Sequence, residues 1–449
     1  MRYVDTHQLQ PGKLKFTLEP GAYVIKKLAV SLMFLFALSA ISSGFAQSLT
    51  TTAIAQVGPG TSSQDVAHDI GPQLIHSVPT ELVDADLGNN ANAIAGNPGG
   101  VQGVISVPNF TRSFSFNGQT FPFTMLGNDP SLGHITTVPA KIVAVSLNLL
   151  NPDGTTLAVV DAGEFEQPTL NSPNFQRFKY EHTTEPVQFA DAVQRAEFFS
   201  NIPPNPNWHT ELAPSVVDRI TITVPKFVTV ISGGQPVQAL NYQTGVLPDG
   251  HRFVLMLNLF FNQQLGVIVN NEIDGNNFTT NDINITLFPN TFLYSFNRAN
   301  PQQRGSCCTL GFHTFFTDRA TPEHRWVVDY ASWISPGLFG GGFEDITALS
   351  HELSETFNDP FVNNIVPRWQ FPGEPGVCQG NLETGDPVEV LANAVFPVTL
   401  NVTGQNVTYH PQTEALLQWF AQTVPSNALH GAYSYPDTTA LTAPATLCH

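Results

Sequence analysis

The residues best placed for chemistry lie in one stretch, SHELSETFNDP, at positions 350–360. His351 and Glu355 are four apart, so on a helix they share a face and reach one cation together. Glu352 stands between them in sequence, about a quarter-turn round the helix. In the H-E-x-x-H arrangement that middle glutamate is the general base beside a metal-bound water. Here Glu355 replaces the second histidine. Zinc accepts imidazole and carboxylate ligands at similar distances. A ligand set of one His and two carboxylates, however, neutralises a divalent ion. The ion is then a weaker Lewis acid, its water ionises at higher pH, and harder ions such as Mn²⁺ compete better. The third ligand must come from elsewhere. LETGDPVE at 382–389 is packed with carboxylates, and Glu383 is the first choice, Asp386 the second and Asp359 a distant third. The bland alternative is a solvated acidic helix face beside a solvated acidic loop.

The helix that carries this motif is expected over 344–358. Ile346, Leu349, Leu353 and Phe357 fall on one side of a 3.6-residue helix and form its core face. His351 and Glu355 point the other way, with Glu344, Ala348 and Asn358, and Asp359-Pro360 ends the helix. Strands are expected at 103–107, 114–116, 140–150, 219–224, 227–231, 252–261, 265–269, 283–287, 310–316 and 325–330. Asn151-Pro-Asp-Gly154 reads as a turn after the third of these. Further helices are expected at 188–199, from the spacing of Phe189, Ala192, Val193 and Ala196, and at 412–423. Strands mixed with a few helices indicate an α+β fold.

The helix motif followed by LETGD resembles the H-E-[LI]-x-E-x-x-x-D-P … E-I-G-D pattern of the phosphate-induced protein 1/Exordium-like family and related secreted bacterial proteins. Leu310 to Phe316 (LGFHTFF) resembles that family's Gly-aromatic-His-[ST] segment. The match covers about 307–389. It places His351, Glu352, Glu355 and Asp359 on the family's helix motif, and Glu383, Gly385 and Asp386 on its E-x-G-D. The family carries a Cys shortly after that motif, where this chain has Pro387-Val388; Cys378 precedes it instead. The chain order is also similar to that of zincin metallopeptidases, in which a mixed sheet precedes the H-E helix and an edge strand lies along the substrate cleft. That likeness implies a zincin-like mixed β-sheet with 310–316 as edge strand and His313 facing the metal, although a structural or surface histidine is the commoner role.

Two groups near the C-terminus, His430 and Tyr433, are candidates for donating a hydrogen bond to a tetrahedral intermediate, against a plain structural turn. Ser306, Ser335 and Ser350 lack the G-x-S-x-G context of a serine hydrolase, and the glycines of 337–342 lack the lysine of a P-loop. Asn109, Asn277, Asn284, Asn401 and Asn406 lie in N-x-[ST] sequons, which matter only in a eukaryotic secretory route.

The rest of the chain points to export. Lys26-Lys27, the apolar run at 28–40 and Gly44-Phe45-Ala46 make a tripartite signal peptide, with cleavage near Ala46. Residues 1–46 are therefore read as N-terminal extension and signal, 47–135 as a low-complexity, loosely ordered lead-in with short β segments, and 136–449 as the α+β domain. The mature protein is expected to be secreted or periplasmic, with no stable membrane insertion. A net charge of -18 argues against nucleic acid and anionic membranes as partners. The 4 cysteines suggest two disulfides. A bridge between the adjacent Cys307 and Cys308 would be strained, so each is expected to pair with Cys378 or Cys448.

These observations define an expectation: a secreted metal-dependent hydrolase, a zincin-like peptidase acting on a peptide or protein substrate. His351, Glu355 and Glu383, with Asp386 in reserve, hold Zn²⁺, with Mn²⁺ or Ca²⁺ as alternatives; Glu352 is the base, and His313 and Tyr433 assist. The rival is a non-catalytic exported surface or matrix protein with a structural ion or none.

Overall fold

The computed structural model describes residues 104–448 except 182, 203–206 and 341, together with the backbone of two short strands, Gln73–Leu74 and Leu82–Val83. The expected signal peptide lies outside the described residues, as does most of the lead-in. Among the described residues no helix is long and apolar enough to cross a membrane.

The fold is strand-rich α+β, built on a curled half-barrel sheet. Its strands run in the order Gln73–Leu74, Gly311–Thr317, Arg325–Trp333, Ile283–Pro289 and Ile135–Leu150. His209–Val224 pairs in parallel along almost the whole of Ile135–Leu150, and Thr156–Val160 pairs antiparallel with its end. Arg325–Trp333 is parallel to Ile283–Pro289 and antiparallel to Gly311–Thr317, so the sheet is mixed. The sequence expects the hairpin turn, and Gly154 supplies it with a φ of 84° that a side chain would disfavour.

At the centre of the sheet both faces are buried, and alternation sorts the side chains between them. Ile283, Ile285, Leu287, Val327 and Ala331 join one core with Leu349, Leu353 and Phe357 of the helix Thr347–Asn358 and with Ile346 just before it. Phe312, Phe316, Val328 and Tyr330 project into the other core, where Phe261 packs 4.3 Å from the Tyr330 ring. Helix Phe189–Glu197 lies against the site helix, and Gln194 Nε2 donates to the Phe357 carbonyl at 3.2 Å.

Several expectations change. The stretch 265–269 is not a strand but part of helix Asn258–Asp274. Its β-branched residues misled, because Phe261, Leu265, Ile268 and Val269 recur at helical spacing and all face the core. The run expected as a strand over 252–261 accordingly stops at Leu257. The helix expected over 412–423 shrinks to Leu417–Phe420, because Glu414–Ala415 pairs as a strand with Ser434–Tyr435. The cysteines pair as Cys307 with Cys308 and Cys378 with Cys448, which corrects the expected pattern. The peptide between Cys307 and Cys308 is cis, which sets their Cα atoms 3.0 Å apart.

Candidate metal centre

The site helix meets the strand Gly311–Thr317 over the motif. Period-2 alternation turns Gly311, His313 and Phe315 toward the helix and Phe312 and Phe316 away from it. Gly311 leaves room for Glu352: a Cβ there would come 2.5 Å from Glu352 Oε1. On the other side, the loop leading into the short helix Asp386–Glu389 crosses the motif, and a Cβ on Gly385 would lie 2.4 Å from His351 Nδ1. The Gly385 N–H donates to Glu355 Oε1 at 3.0 Å. A strap at 410–414 closes the cluster. Thr347 Oγ1 donates to the His410 carbonyl, and the Gln412 N–H donates to Ser350 Oγ.

The result is a buried polar cluster and not a solvated face. His351 and Asp386 are 3% exposed, Glu355 and Glu383 2%, and His313 and Glu352 1%. The helix is long enough to bury the motif face too, because the strand, the 383–389 segment and the strap cover it.

The two imidazoles are held alike. His313 Nε2 lies 3.2 Å from the Asp359 carbonyl, an acceptor, so Nε2 carries a proton. Its Nδ1 then faces Glu355 Oε2 at 3.3 Å, Glu352 Oε2 at 3.7 Å and Glu383 Oε2 at 3.9 Å. His351 Nδ1 lies 3.2 Å from Gln412 Oε1, and the orientation of that amide is fixed because its Nε2 donates to the Gly385 carbonyl at 2.7 Å. His351 Nε2 faces Glu355 Oε1 at 3.2 Å and Asp386 Oδ1 at 3.7 Å, and neither Nε2 nor Asp386 Oδ1 makes a hydrogen bond. On each imidazole the inner nitrogen therefore faces carboxylate oxygens. Only a proton or a metal cation between them makes that arrangement favourable, and fixing the outer nitrogen on an acceptor is how metal-binding histidines are oriented. The residues present thus fit a divalent ion.

The electrostatics agree. Burial opposes charge on His313, yet the carboxylates of Glu383, Glu352 and Glu355 hold its pKa well above the ordinary value. His351 behaves likewise, against Glu355 and Glu352. Burial acts to raise Glu355, but the two histidines override it and keep this carboxyl low. Burial, reinforced by Glu355 and Glu389, pushes Asp386 well up, and Glu389 rises to about 8.

Ligand atoms gather in two trios, His313 with Glu355 and Glu383, and His351 with Glu355 and Asp386. The expected set of His351, Glu355 and Glu383 is therefore divided between them, and Asp386, the second choice, stands with His351. Asp359 is occupied elsewhere, its carboxylate accepting the N–H groups of Asn363 and Asn364. The Tyr433 hydroxyl donates to the Thr423 carbonyl at 2.8 Å, and His430 is exposed against Phe199, so neither joins the cluster. The sequence reading missed Gln412, Glu389 and Glu414. Glu389 stood in plain view in LETGDPVE, whereas Gln412 and Glu414 were hidden by the helix expected there. No family, curated protein or solved structure matches the chain.

Proposed function

We propose that this chain is an exported metal-dependent hydrolase of zincin type, acting on peptide bonds. The observation that carries the reading is the position of His351 Nε2, its ring held by Gln412, facing Glu355 Oε1 and Asp386 Oδ1, with Glu352 one residue along the same helix. His351, Glu355 and Asp386 would hold the ion, zinc first and Mn²⁺ or Ca²⁺ as alternatives. A bound ion would supply Lewis acidity to the substrate carbonyl and acidify a water. Glu352 then takes the proton from the attacking water. Burial raises its pKa, so it can hold that proton and hand it to the leaving amine.

Three further features support the reading. The helix motif and E-T-G-D resemble the phosphate-induced protein 1/Exordium-like pattern. The mixed sheet precedes the helix, as in zincins. The disulfide pairs are compatible with an exported protein.

One observation favours a second reading. Every proposed ligand is 3% exposed or less, as in a closed structural site. An exported protein that only uses its ion to hold these segments together would look the same. The two readings separate in one experiment on the purified mature protein, in which metal content and hydrolysis of a broad peptide mixture are measured for wild type and Glu352→Gln. Bound metal in both, with cleavage in wild type only, is the expected result. Bound metal with no cleavage in either supports the structural reading, and a folded, metal-free wild type removes both.

A further inference from the structure

We infer that the centre holds two divalent cations bridged by Glu355. This rests on the metal-centre reading above and adds a second ion, held by His313. Glu355 divides its oxygens between the histidines, with Oε1 3.2 Å from His351 Nε2 and Oε2 3.3 Å from His313 Nδ1. The two histidines head separate trios, each including Glu355, whose ligand atoms all lie within 4.8 Å of one another. A carboxylate that offers one oxygen to each of two sites is the bridge of a two-metal centre, in which the ions sit about 3.5–4 Å apart.

The orphaned polar atoms point the same way. Asp386 Oδ1 faces His351 Nε2, and Glu352 Oε2 faces His313 Nδ1; both oxygens are buried and form no hydrogen bond. One ion beside His351 satisfies the first and leaves the second. The outer nitrogens of both histidines are already committed, to Gln412 and to the Asp359 carbonyl, so in each the inner nitrogen is the one that can meet a cation. Charge supports the pair too. Among the described residues no lysine or arginine is buried, while Glu352, Glu355, Glu383, Asp386, Glu389 and Glu414 all are. Ionising these carboxyls together in a buried site is costly, and two divalent ions would offset that cost more fully than one.

The assignment gives His351, Glu355 Oε1 and Asp386 to one ion and His313, Glu355 Oε2 and Glu383 to the other. The mature protein, stripped by a chelator and reloaded with Mn²⁺ alone, tests it through metal analysis and electron paramagnetic resonance. Two Mn²⁺ per chain with an exchange-coupled signal are expected. Glu383→Gln and Asp386→Asn, near-isosteric changes checked for folding by circular dichroism, should each keep one ion and lose the coupling. One ion per chain in wild type overturns the second site and leaves the single-ion reading standing. Two ions without coupling place the second away from Glu355 and overturn the bridge. No bound ion overturns both readings.

Discussion

Gln412 ties His351 to the turn at Gly385, with Oε1 3.2 Å from the imidazole Nδ1 and Nε2 donating to the Gly385 carbonyl at 2.7 Å. It touches no metal, yet it decides which imidazole nitrogen keeps a lone pair. Gln412→Leu should therefore weaken metal affinity by roughly 10- to 100-fold, the range for such supporting partners. Competition against a chromogenic chelator measures it. An unchanged affinity would remove Gln412 from the metal's support.

The two glycines that frame the motif should fail differently. In Gly311→Ala the new methyl meets Glu352, whereas in Gly385→Ala it meets the His351 ring. Gly311→Ala should keep its metal and lose hydrolysis by about 100-fold, because misplacing a reacting group by an ångström has that effect. Gly385→Ala should lose metal outright. Metal content and turnover measured side by side distinguish the two, and equal loss of both in each variant would contradict the assignment of Glu352 as base.

His410 should make the strap sensitive to pH. Its Nδ1 lies 2.7 Å from Asp345 Oδ2, and Asp345, with Glu344 beyond it, holds the imidazole pKa above its ordinary 6.5 against partial burial. Because the folded pKa is raised, this contribution is complete below pH 6.5 and disappears as pH rises through the folded value. The part lost is on the order of 1 kcal/mol, as the group is partly exposed. Thermal melts of wild type and His410→Gln across this window should converge at alkaline pH and separate at acid pH. Parallel curves would refute it.

The bridge between Cys378 and Cys448 spans a sequence separation of 70. It closes the C-terminal strap, where the Cys448 N–H donates to the Arg368 carbonyl and the Gln370 N–H to that of Thr446. Removing a cross-link over such a loop costs about 4 kcal/mol on the chain-entropy view. A Cys378→Ser/Cys448→Ser double variant should melt well below wild type under oxidising conditions and match it under reducing ones. Equal melting in both conditions would show that the bridge contributes nothing.

How far the site was legible depended on sequence distance. His351, Glu352, Glu355 and the apolar stripe through Leu349 and Leu353 follow from helical spacing alone, and all behave as that spacing predicts. What spacing cannot show is which distant segment covers a polar face. His313 reaches the cluster only because the Gly311–Thr317 strand packs on the motif helix, and a lone histidine in an apolar strand carries no mark of that. The division of ligands between Glu383 and Asp386 depends on the turn at Gly385, a matter of fractions of a residue. Glu414 lay in a stretch with good helical propensity, overridden by pairing with Tyr435. The cysteine count allows three pairings, and only the folded chain shows that Cys307 joins its neighbour Cys308.

The strap at 410–414 also bears on time. His351 and Glu355 come from a helix, His313 from a strand, Asp386 from a loop end, and Gln412 from the strap that covers them. An ion enclosed by separated stretches of chain leaves only when one of them peels back, so its residence is governed by the rate of local opening. A cation bound there would be lost no faster than the strap opens, so its release would be slow and would follow local opening.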